Sequence, residues 1–504
     1  MDADQFKEAA KSTIDEIVNY YETIEDRSVV SQVEPGYLRK LLPSEAPQHG
    51  EPWADIQKDL EAKIMPGITH WQSPNFFAFF PCPASYPSLL GEMWSSALGG
   101  ACFNWICSPA VTELETVVLD WFARLLGLPP CFLSTGPTLG GGVIHGSASE
   151  AVLTVMVAAR DKYLRETLPA AGTLSEEDLE DAAMRKRSRL VALGSAAAHS
   201  STKKAAKILG VRFAAVPVRA EDGYAMTGAG LRETLASLRA RGLEPFFLTA
   251  TLGTTDTCAV DDFASVAAAL AEEHAAPGEV WVHVDAAYAG AALVTPEAQA
   301  AVGVGLVSAF HSFDTNMHKW LLTNFDASCL FVRDRRWLAE ALSAELHVYR
   351  NAYSEGGLVT DYRNWQVPLG RRFRSLKVWF VLRTYGAEGL RAYIRRSTAR
   401  GELFAALLGK RPDLFEILTG PRFALTVFRV AAGGSEEERN RLTTEVYEEV
   451  NRSGKIWTTS TVLDGRFAIR VMTGNQLTEE SHVRNAFELI ESTTEKIMKK
   501  GLSS

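Results

Sequence analysis

One lysine stands between two segments that have the composition of buried strands. Lys319, in NMHKWLLTNFD, follows VSAFHSFD (307–314) and precedes ASCLFVRD (327–334). An ammonium is strongly hydrated, so a lysine held in apolar surroundings has a lowered pKa and becomes a nucleophilic amine. Such an amine can form a Schiff base with a carbonyl compound. The alternative is a lysine whose stem packs on the core while its ammonium reaches water.

Other polar groups also follow predicted strands. Asp285 ends EVWVHVD, His199 follows RLVALGS, and the glycine-rich segment GPTLGGGVIHGSASEA (136–151) leads into a predicted helix. Because ligands of open α/β sheets bind outside the carboxyl ends of the strands, we expect these groups to lie close together. Each has an ordinary explanation of its own: a strand-end cap, a buried histidine, a flexible loop.

Together these groups match the needs of one cofactor. The turn at residues 147–149, at the start of a helix, offers backbone N–H groups and hydroxyls to a phosphate. The Asp285 carboxylate can keep a pyridine nitrogen protonated, and the His199 ring can stack on a planar group. Phosphate site, pyridinium partner and Schiff-base lysine are the contacts that pyridoxal 5′-phosphate requires.

Strand-like and helical segments alternate through the central part of the chain, which predicts an α/β fold with a mainly parallel sheet and helices on both faces. The strand-like segments are RLVALGS (189–195), RFAAVPV (212–218), FFLTATLG (246–253), EVWVHVDAAY (279–288), VSAFHSFD (307–314) and ASCLFVRD (327–334).

The two ends of the chain differ from this pattern. An N-terminal segment, 1–86, begins with a predicted helix from Phe6 to Tyr21 and then becomes irregular. A large cofactor-binding domain is predicted over 87–375. A small α+β domain is predicted over 376–504, with strands at 422–430, 455–463 and 466–474 and a hairpin turn at Asp464-Gly465.

Composition narrows the function classes. The chain of 504 residues has a formal net charge of −9, which argues against a general nucleic-acid or anionic-membrane binder. It has neither a signal-peptide pattern at its start nor an apolar stretch long enough to span a bilayer. Its six cysteines form no CxxC pair, so we expect reduced thiols, a cytoplasmic protein and no metal site.

Longer motifs resemble one family. The segments GSASEA (146–151), HVDAAYAG (283–290), HKWLLTNFD (318–326) and TDYRNWQVPLGRRFRSLKVWF (360–380) strongly resemble the aromatic L-amino-acid decarboxylases, a group of pyridoxal-phosphate-dependent enzymes. The resemblance implies the type I fold of such enzymes, with a seven-stranded-type sheet. It also implies a homodimer whose active sites are shared between subunits, with residues 1–86 packed on the partner.

The resemblance also implies a role for individual residues. Lys319 would bind the cofactor covalently, Asp285 would pair with its ring nitrogen, and His199 would stack on its ring. His318 would assist the exchange of amines at Lys319. The other expected cofactor contacts are Ser147, Ala148, Ser149 and Asn316 at the phosphate, and Thr255 beside the ring. The expected substrate contacts are Trp71, Phe79, Phe80, Pro81, Cys82 and Gly370, with Ala101 and Phe103 from the partner subunit.

Three positions depart from the usual family pattern. Cys82 stands where a threonine is common, Met317 where a proline is common, and His145 where a glutamine is common. None removes a cofactor contact, but Cys82 leaves the handling of the substrate open.

The acid that protonates the product carbon is predicted to be Tyr362. It lies in HVYRNAYSEGGLVTDYRNWQ (347–366), a stretch poor in core residues that carries Gly356-Gly357 and is typical of a mobile lid. Without the resemblance, Tyr362 would count as an ordinary surface tyrosine.

The substrate is predicted to be an aromatic L-amino acid. The resemblance implies that the position of Gly370 faces the substrate ring, where a glycine leaves room for an indole. The prediction therefore favours L-tryptophan, which gives tryptamine, and includes 5-hydroxytryptophan as a second substrate. Tyrosine, phenylalanine and dopa remain alternative substrates.

Three other functions also remain open. The first is an aldehyde synthase with the same fold, and Tyr362 argues against it. The others are an aminotransferase and a catalytically inactive binding protein.

Overall fold

The structure is a computed structural model that describes residues 1–170, 172–272, 278–343, 353 and 359–501. The chain forms two compact units. One combines Met1–Pro81 with Ser397–Ser504, and the other comprises Cys82–Arg396. This division differs from the three predicted domains because the N-terminal segment joins the C-terminal part of its own chain.

Helices occur in both units. In chain order they are α1 (Ala3–Glu22), α2 (Tyr37–Leu41), α3 (Trp53–Asp59), α4 (Tyr86–Ala97), α5 (Pro109–Leu125), α6 (Ala148–Thr167), α7 (Glu176–Arg187), α8 (Ser200–Leu209), α9 (Gly228–Ala240), α10 (Phe263–Ala271), α11 (Pro296–Val302), α12 (Met317–Trp320), α13 (Arg336–Leu342), α14 (Arg374–Gly409), α15 (Glu436–Arg452) and α16 (Glu480–Gly501). The predicted first helix is α1, which Asp2 and Gln5 close with a capping box. Helix α14 is interrupted at Gly386, whose φ of 60° is left-handed.

The larger unit is built on one sheet. Its strands are β1 (Gly141–His145), β2 (Leu190–Ser195), β3 (Arg212–Val216), β4 (Glu244–Thr251), β5 (Trp281–Asp285), β6 (Ser312–Asn316) and β7 (Ser328–Val332). Their spatial order is β1-β7-β6-β5-β4-β2-β3. Five neighbouring strands pair in parallel, in the spatial order β6, β5, β4, β2 and β3. Strand β7 is antiparallel to both β6 and β1. The predicted α/β architecture with a mainly parallel sheet is confirmed.

Strand β1 was not predicted, because its residues lie in the segment interpreted as a glycine-rich loop. It is nevertheless buried along its length. A side chain at Gly142 would come within 2.9 Å of the Phe331 ring on β7. The glycines of this segment therefore permit close packing and do not indicate a flexible chain.

The smaller unit contains a four-stranded antiparallel sheet. Its strands are β8 (Phe415–Arg422), β9 (Leu425–Val430), β10 (Thr459–Leu463) and β11 (Arg466–Met472), in the order β10-β11-β9-β8. Three of them match the predicted strands. Strand β8 was missed because Gly420-Pro421 interrupts its pattern, which a partly exposed edge strand tolerates.

Backbone hydrogen bonds attach the N-terminal segment to the smaller unit. The N–H of Phe77 donates to the carbonyl of Trp457 at 2.8 Å, and its carbonyl accepts from the N–H of Met472 at 2.9 Å. In the described ranges, no helix combines the length and apolar character that a bilayer crossing needs.

Candidate active site

The carboxyl edge of the large sheet gathers the predicted cofactor residues. Strands β2, β4, β5 and β6 are parallel and end at this edge. Strand β1 also ends there, because it is antiparallel to β7, which is itself antiparallel to β6. The charges of Asp285 and Lys319 both act on His199, and that of Asp285 also acts on Lys319. The sheet therefore brings these three residues together, as predicted.

Lys319 lies on the short helix α12, directly after β6, and is half-buried. Removal from water lowers the pKa of its amine, although the carboxylates of Asp285 and Asp314 oppose this effect. The next residue, Trp320, is buried and stacks on Tyr288 with ring centroids 4.9 Å apart. The amine therefore projects from a rigid turn and has the environment of a nucleophile.

Asp285 is the last residue of β5 and is only 8% exposed. One carboxylate oxygen accepts the backbone N–H of Ala287 at 3.0 Å. This bond fixes the orientation of the carboxylate at the strand end, where it can pair with a cationic ring nitrogen.

His199 is the N-cap of α8. Its Nδ1 accepts the backbone N–H of Ser201 at 3.2 Å, so the neutral ring carries its proton on Nε2. Burial lowers the pKa of His199; Asp285 raises it, and Lys319 lowers it. A neutral, oriented imidazole is suited to stacking on a flat ring.

His318, next to the lysine, is also held as a neutral ring. Its Nδ1 accepts the backbone N–H of Ala327 at 2.7 Å. Burial, helped by the charge of Lys319, lowers the pKa of His318 to about 3. Its proton is therefore on Nε2, and the ring is a hydrogen-bond donor at neutral pH.

The predicted phosphate site is the N-terminus of α6, a helix of 20 residues. The side chain of Ser147 caps the helix by accepting the N–H of Glu150 at 3.2 Å, while Gly146 donates its N–H to Glu150 Oε2 at 2.9 Å. The N–H groups of Ala148 and Ser149 belong to the first turn, which has no intrahelical acceptors and carries the positive end of the helix dipole. The site suits a phosphate.

Several buried polar atoms at this edge have no hydrogen-bond partner within the part of the chain that the structure describes. Among the described residues, Ser195 Oγ, Thr251 Oγ1 and Asn316 Oδ1 are buried without a hydrogen-bond partner. The three residues are the last of β2, β4 and β6. A buried polar atom without a hydrogen bond lowers the stability of the fold by about 1–3 kcal/mol. The edge therefore offers polar atoms to a ligand with polar groups, and the residues present fit pyridoxal phosphate. When bound, that group accepts the electron pair left by bond cleavage at a substrate carbon.

Sequence reasoning missed two of these atoms. Ser195 is the last residue of the predicted strand 189–195, and Thr251 lies two residues before the end of the predicted strand 246–253. A polar residue near a strand end was the signal that could have identified both. Thr255, the predicted cofactor contact, is half-buried just beyond β4. Among the described residues, no cluster of three or more His, Cys, Asp or Glu side chains is arranged to bind a metal ion.

Cys82 belongs to the same unit as the cofactor residues. Burial raises the pKa of its thiol, while the positive charges of Lys319 and Lys377 lower it. The thiol is therefore close enough to the amine to respond to its charge.

Tyr362, predicted as the acid of a mobile lid, is buried in the structure, and its role stays a prediction. Tyr362 lies in a buried 3-10 turn, is 3% exposed and belongs to the core of the large unit. Its hydroxyl shares a hydrogen bond of 3.0 Å with Thr116, and the guanidinium of Arg371 lies 4.7 Å above its ring. Burial raises the pKa of the phenol above its usual value. The remainder of the predicted lid, 347–352 and 354–358, lies outside the described residues.

Three predicted substrate contacts, Ala101, Phe103 and Gly370, lie on two chain segments that are joined by backbone hydrogen bonds. Arg371 donates its N–H to the carbonyl of Ala101 at 2.7 Å, and Arg363 donates to the carbonyl of Phe103 at 3.1 Å. Gly370 is exposed, and a side chain there would meet no atom within 4 Å. The two backbone bonds therefore hold the residues around Ala101 and Phe103 next to the segment that carries Gly370.

The remaining predicted substrate contacts lie in the smaller unit. Trp71 and Phe79 are exposed and stack with ring centroids 5.5 Å apart, and Phe79 has a left-handed φ of 48°. The guanidinium of Arg470 lies 5.5 Å from the Phe80 ring, and Pro81 is buried. An exposed, strained aromatic residue is typical of a binding surface.

Known proteins resemble this chain over nearly its whole length. The chain is 44% identical over 504 residues to phenylacetaldehyde synthase of Arabidopsis thaliana, covering 99% of this chain and 98% of that protein. It is 42% identical over 500 residues to the aromatic-L-amino-acid decarboxylase of Rattus norvegicus, covering 99% of each. The structure of Oryza sativa TDC with PLP and tryptamine matches with a TM-score of 0.92 and 38% identity, covering 99% of both chains.

A family model described as the pyridoxal-dependent decarboxylase conserved domain matches residues 35–431. This match confirms the predicted cofactor and enzyme class, and the structural similarity confirms the predicted fold. The chain therefore belongs to the family of pyridoxal-dependent decarboxylases.

Proposed function

We propose that the protein removes the carboxyl group of an aromatic L-amino acid, and that its main reaction converts L-tryptophan into tryptamine and CO2. 5-Hydroxytryptophan is a second expected substrate. The observation that carries this proposal is the nucleophilic environment of Lys319 beside the oriented carboxylate of Asp285. Decarboxylation requires both, an amine to bind the cofactor and an anion to keep its ring nitrogen charged.

The residues of the site have distinct tasks in this reaction. Lys319 would hold the cofactor covalently and would release it to the substrate amine. Asp285 would keep a positive charge on the ring nitrogen, and that charge would stabilise negative charge on the substrate carbon. His199 orients the ring, and the neutral His318 can donate a proton during the exchange of amines.

Two observations support an aromatic substrate. The exposed pair of Trp71 and Phe79 offers flat apolar surface to an aromatic ring. The open position at Gly370 leaves space for the larger ring of an indole. The similar rice structure contains tryptamine.

An aromatic aldehyde synthase is the second candidate. Tyr362 was the sequence argument against it, and the burial of this residue removes that argument. The similarity to an Arabidopsis phenylacetaldehyde synthase favours this candidate. In that reaction the amino acid, O2 and water would give aldehyde, CO2, ammonia and hydrogen peroxide.

One product assay distinguishes the two. The reconstituted enzyme is incubated in air with tryptophan, 5-hydroxytryptophan, tyrosine, dopa or phenylalanine, and amine, aldehyde, peroxide and CO2 are measured. We expect amine equal to CO2, the highest rate with tryptophan, and no peroxide. Aldehyde and peroxide in amounts equal to CO2 would establish the synthase, and a faster reaction with tyrosine or dopa would reject tryptophan.

The active form is proposed to be a homodimer. In the larger unit, one face of α4 exposes a continuous apolar stripe made of Tyr86, Leu90, Met93, Trp94 and Leu98. In the smaller unit, α1 buries only Ala9 and leaves Phe6 and Ile14 exposed. Patches of this kind mark protein interfaces, and a second copy of the chain would cover the stripe on α4. The predicted packing of residues 1–86 on a partner and the cytoplasmic location stay predictions.

A further inference from the structure

A second carboxylate lies beside Asp285 in the sheet. In the register of β5 and β6, Asp285 pairs with Asp314, and the N–H of Ala286 donates to the carbonyl of Asp314 at 3.0 Å. Neighbouring strands are about 4.8 Å apart, and paired residues direct their side chains to the same face. Asp314 is completely buried, so its charge is not screened by water.

A short polar chain leads to Asp314. Trp281 donates its indole N–H to Ser312 Oγ at 2.8 Å, and Ser312 Oγ is 2.9 Å from Nδ1 of His283. Since the indole can only donate, the serine hydroxyl is free to donate to Nδ1, which leaves the proton of His283 on Nε2. This Nε2 lies 3.1 Å from Asp314 Oδ1, in a contact too bent for a good hydrogen bond.

Nothing in the proposed reaction uses this pair. Both His283 and Asp314 are fully buried, whereas Asp285 is 8% exposed and Lys319 is half-buried. Asp314 Oδ2 also accepts the hydroxyl of Ser328, but at 3.5 Å this bond is long, and together with the bent contact it compensates a buried carboxylate incompletely. A group kept at this position beside the reactive amine therefore calls for an explanation.

We propose that Asp314, held by His283, is a positioning residue that supplies a second negative charge behind Asp285 and thereby raises the proton affinity of the nitrogen at Lys319. The inference rests on the proposed function, because it concerns the lysine-bound cofactor. Asp314 touches neither substrate nor cofactor and acts through Asp285 and Lys319.

The charges around Asp314 agree with this role. Burial raises the pKa of Asp314 to about 6, the contact with His283 lowers it, Asp285 raises it, and Lys319 lowers it. From β7, the buried thiol of Cys329 faces the same carboxylate. Conversely, Asp314 is one of the two carboxylates that raise the pKa of the Lys319 amine against the effect of burial.

The first test is Asp314→Asn. The amide nitrogen of asparagine can donate to Nε2 of His283 once that ring changes tautomer, so the variant should fold. We expect the pH midpoint of the absorbance band of the lysine-bound cofactor to fall by about one unit, because a nearby charge shifts a pKa by about 1–3 units. Asp120→Asn is the control, since it neutralises another buried carboxylate, bonded to Ser134, in the same unit.

A second readout uses the cofactor-free protein. The folded pKa of Asp314 is raised, so ionising this group destabilises the fold as pH rises from about 4 to 6. The unfolding temperature of Asp314→Asn relative to wild type should therefore rise over this interval and stay constant above it. This readout tests whether Asp314 is ionised in the folded protein at neutral pH, which the proposed role requires, and a difference in stability that is equal at every pH would contradict it.

The outcomes are distinct. His283→Phe removes the group that lowers the pKa of Asp314 and so favours its neutral form. This variant should shift the absorbance midpoint in the same direction, and it serves if Asp314→Asn does not fold. A midpoint unchanged in the folded variants overturns the inference while the proposed function stands. If the wild-type protein shows no lysine-bound cofactor band, the proposed function fails, and this inference fails with it.

Discussion

At the scale of single residues, Lys319 determines whether the proposed chemistry is possible. Lys319→Ala removes the amine, and because the wild-type amine is half-buried and destabilised by its surroundings, the fold should tolerate the change. We expect turnover to fall below detection, with the unfolding temperature at or above that of wild type. Borohydride should attach the cofactor to wild type and not to this variant, as mass spectrometry of peptides would show.

Lys204→Ala is the control for Lys319→Ala, because Lys204 is an exposed lysine on α8. It should retain activity and covalent attachment. Attachment of the cofactor to another lysine in the wild-type protein would contradict the assignment of Lys319.

Because Tyr362 is buried, we expect its substitution to change the stability of the protein and not its products. Tyr362→Phe loses only the hydrogen bond to Thr116, so it should lower the free energy of unfolding by about 1 kcal/mol. The ratio of amine to aldehyde should stay that of wild type. Chemical denaturation and the product assay measure the two effects.

Substitutions of its partner and of the neighbouring tyrosines complete the test of Tyr362. Thr116→Val also removes the bond of Thr116 to the Thr112 carbonyl and leaves the buried phenol unpaired, so it should lower the free energy of unfolding more than Tyr362→Phe does. Tyr349→Phe and Tyr353→Phe vary the other tyrosines of the stretch, of which Tyr349 lies outside the described residues. Aldehyde and peroxide appearing with Tyr362→Phe alone would restore Tyr362 as the acid.

Some site residues could be predicted from the sequence because local position reveals them. Asp285, His199 and Lys319 follow runs of buried strand residues, and parallel strands bring their ends to one edge. The place of Tyr362 could not be predicted in this way. The neighbouring Gly356-Gly357 suggests an exposed loop, whereas the burial of Tyr362 depends on Thr116 and Arg371, which are distant or unremarkable in the sequence.

At the scale of elements, β4 offers a comparison between two threonines. The hydroxyl of Thr251, at the strand end, is buried without a partner, whereas that of Thr249 shares a hydrogen bond of 2.9 Å with Thr202. Thr251→Val should therefore leave the cofactor-free protein as stable as wild type or more so, because an unpaired buried hydroxyl is removed. Cofactor affinity should fall about tenfold if that hydroxyl binds the cofactor, which is a loss of about 1.4 kcal/mol.

Thr249→Val is the matched control on the same strand. It should destabilise the cofactor-free protein by about 1 kcal/mol and keep the cofactor affinity. Thermal unfolding without cofactor and titration with pyridoxal phosphate give the two quantities. Equal cofactor affinity in both variants would exclude Thr251 from the cofactor site.

Element prediction succeeded where the apolar pattern was continuous and failed where glycine or proline interrupted it. Strands β2, β4 and β5 are runs of buried residues, and the sequence predicts each of them. Strands β1 and β8 contain glycine, and in β1 the glycine makes room for a ring on a neighbouring strand. A partner strand is not visible in the local sequence, so this reason for a glycine could not be deduced from it.

At the scale of the whole molecule, the division of the chain depends on long-range pairing. The sequence predicts a separate N-terminal segment because its composition is irregular. The backbone bonds of Phe77 to Trp457 and Met472 join residues nearly 400 positions apart, so no local pattern reveals them. The small unit is therefore formed by both ends of the chain.

The apolar stripe of α4 leads to a prediction about assembly. Trp94 is 57% exposed and lies near the middle of the stripe formed with Tyr86, Leu90, Met93 and Leu98. Trp94→Glu places a charge on this face without disturbing the core of the subunit. If a second copy covers the face, the dimer dissociation constant should rise on the order of 100-fold or more, as for a central aromatic residue of an interface.

Sedimentation velocity over a range of concentrations measures this change. Met184→Glu is the matched control, because Met184 is equally exposed on α7, whose other residues are largely charged. The control should sediment as wild type, and Trp94→Glu should sediment as a monomer at concentrations where wild type is a dimer. Because Ala101 and Phe103 are predicted to complete the partner's site, the monomer should also lose turnover. A Trp94→Glu protein that remains dimeric and active would place the subunit interface on another face.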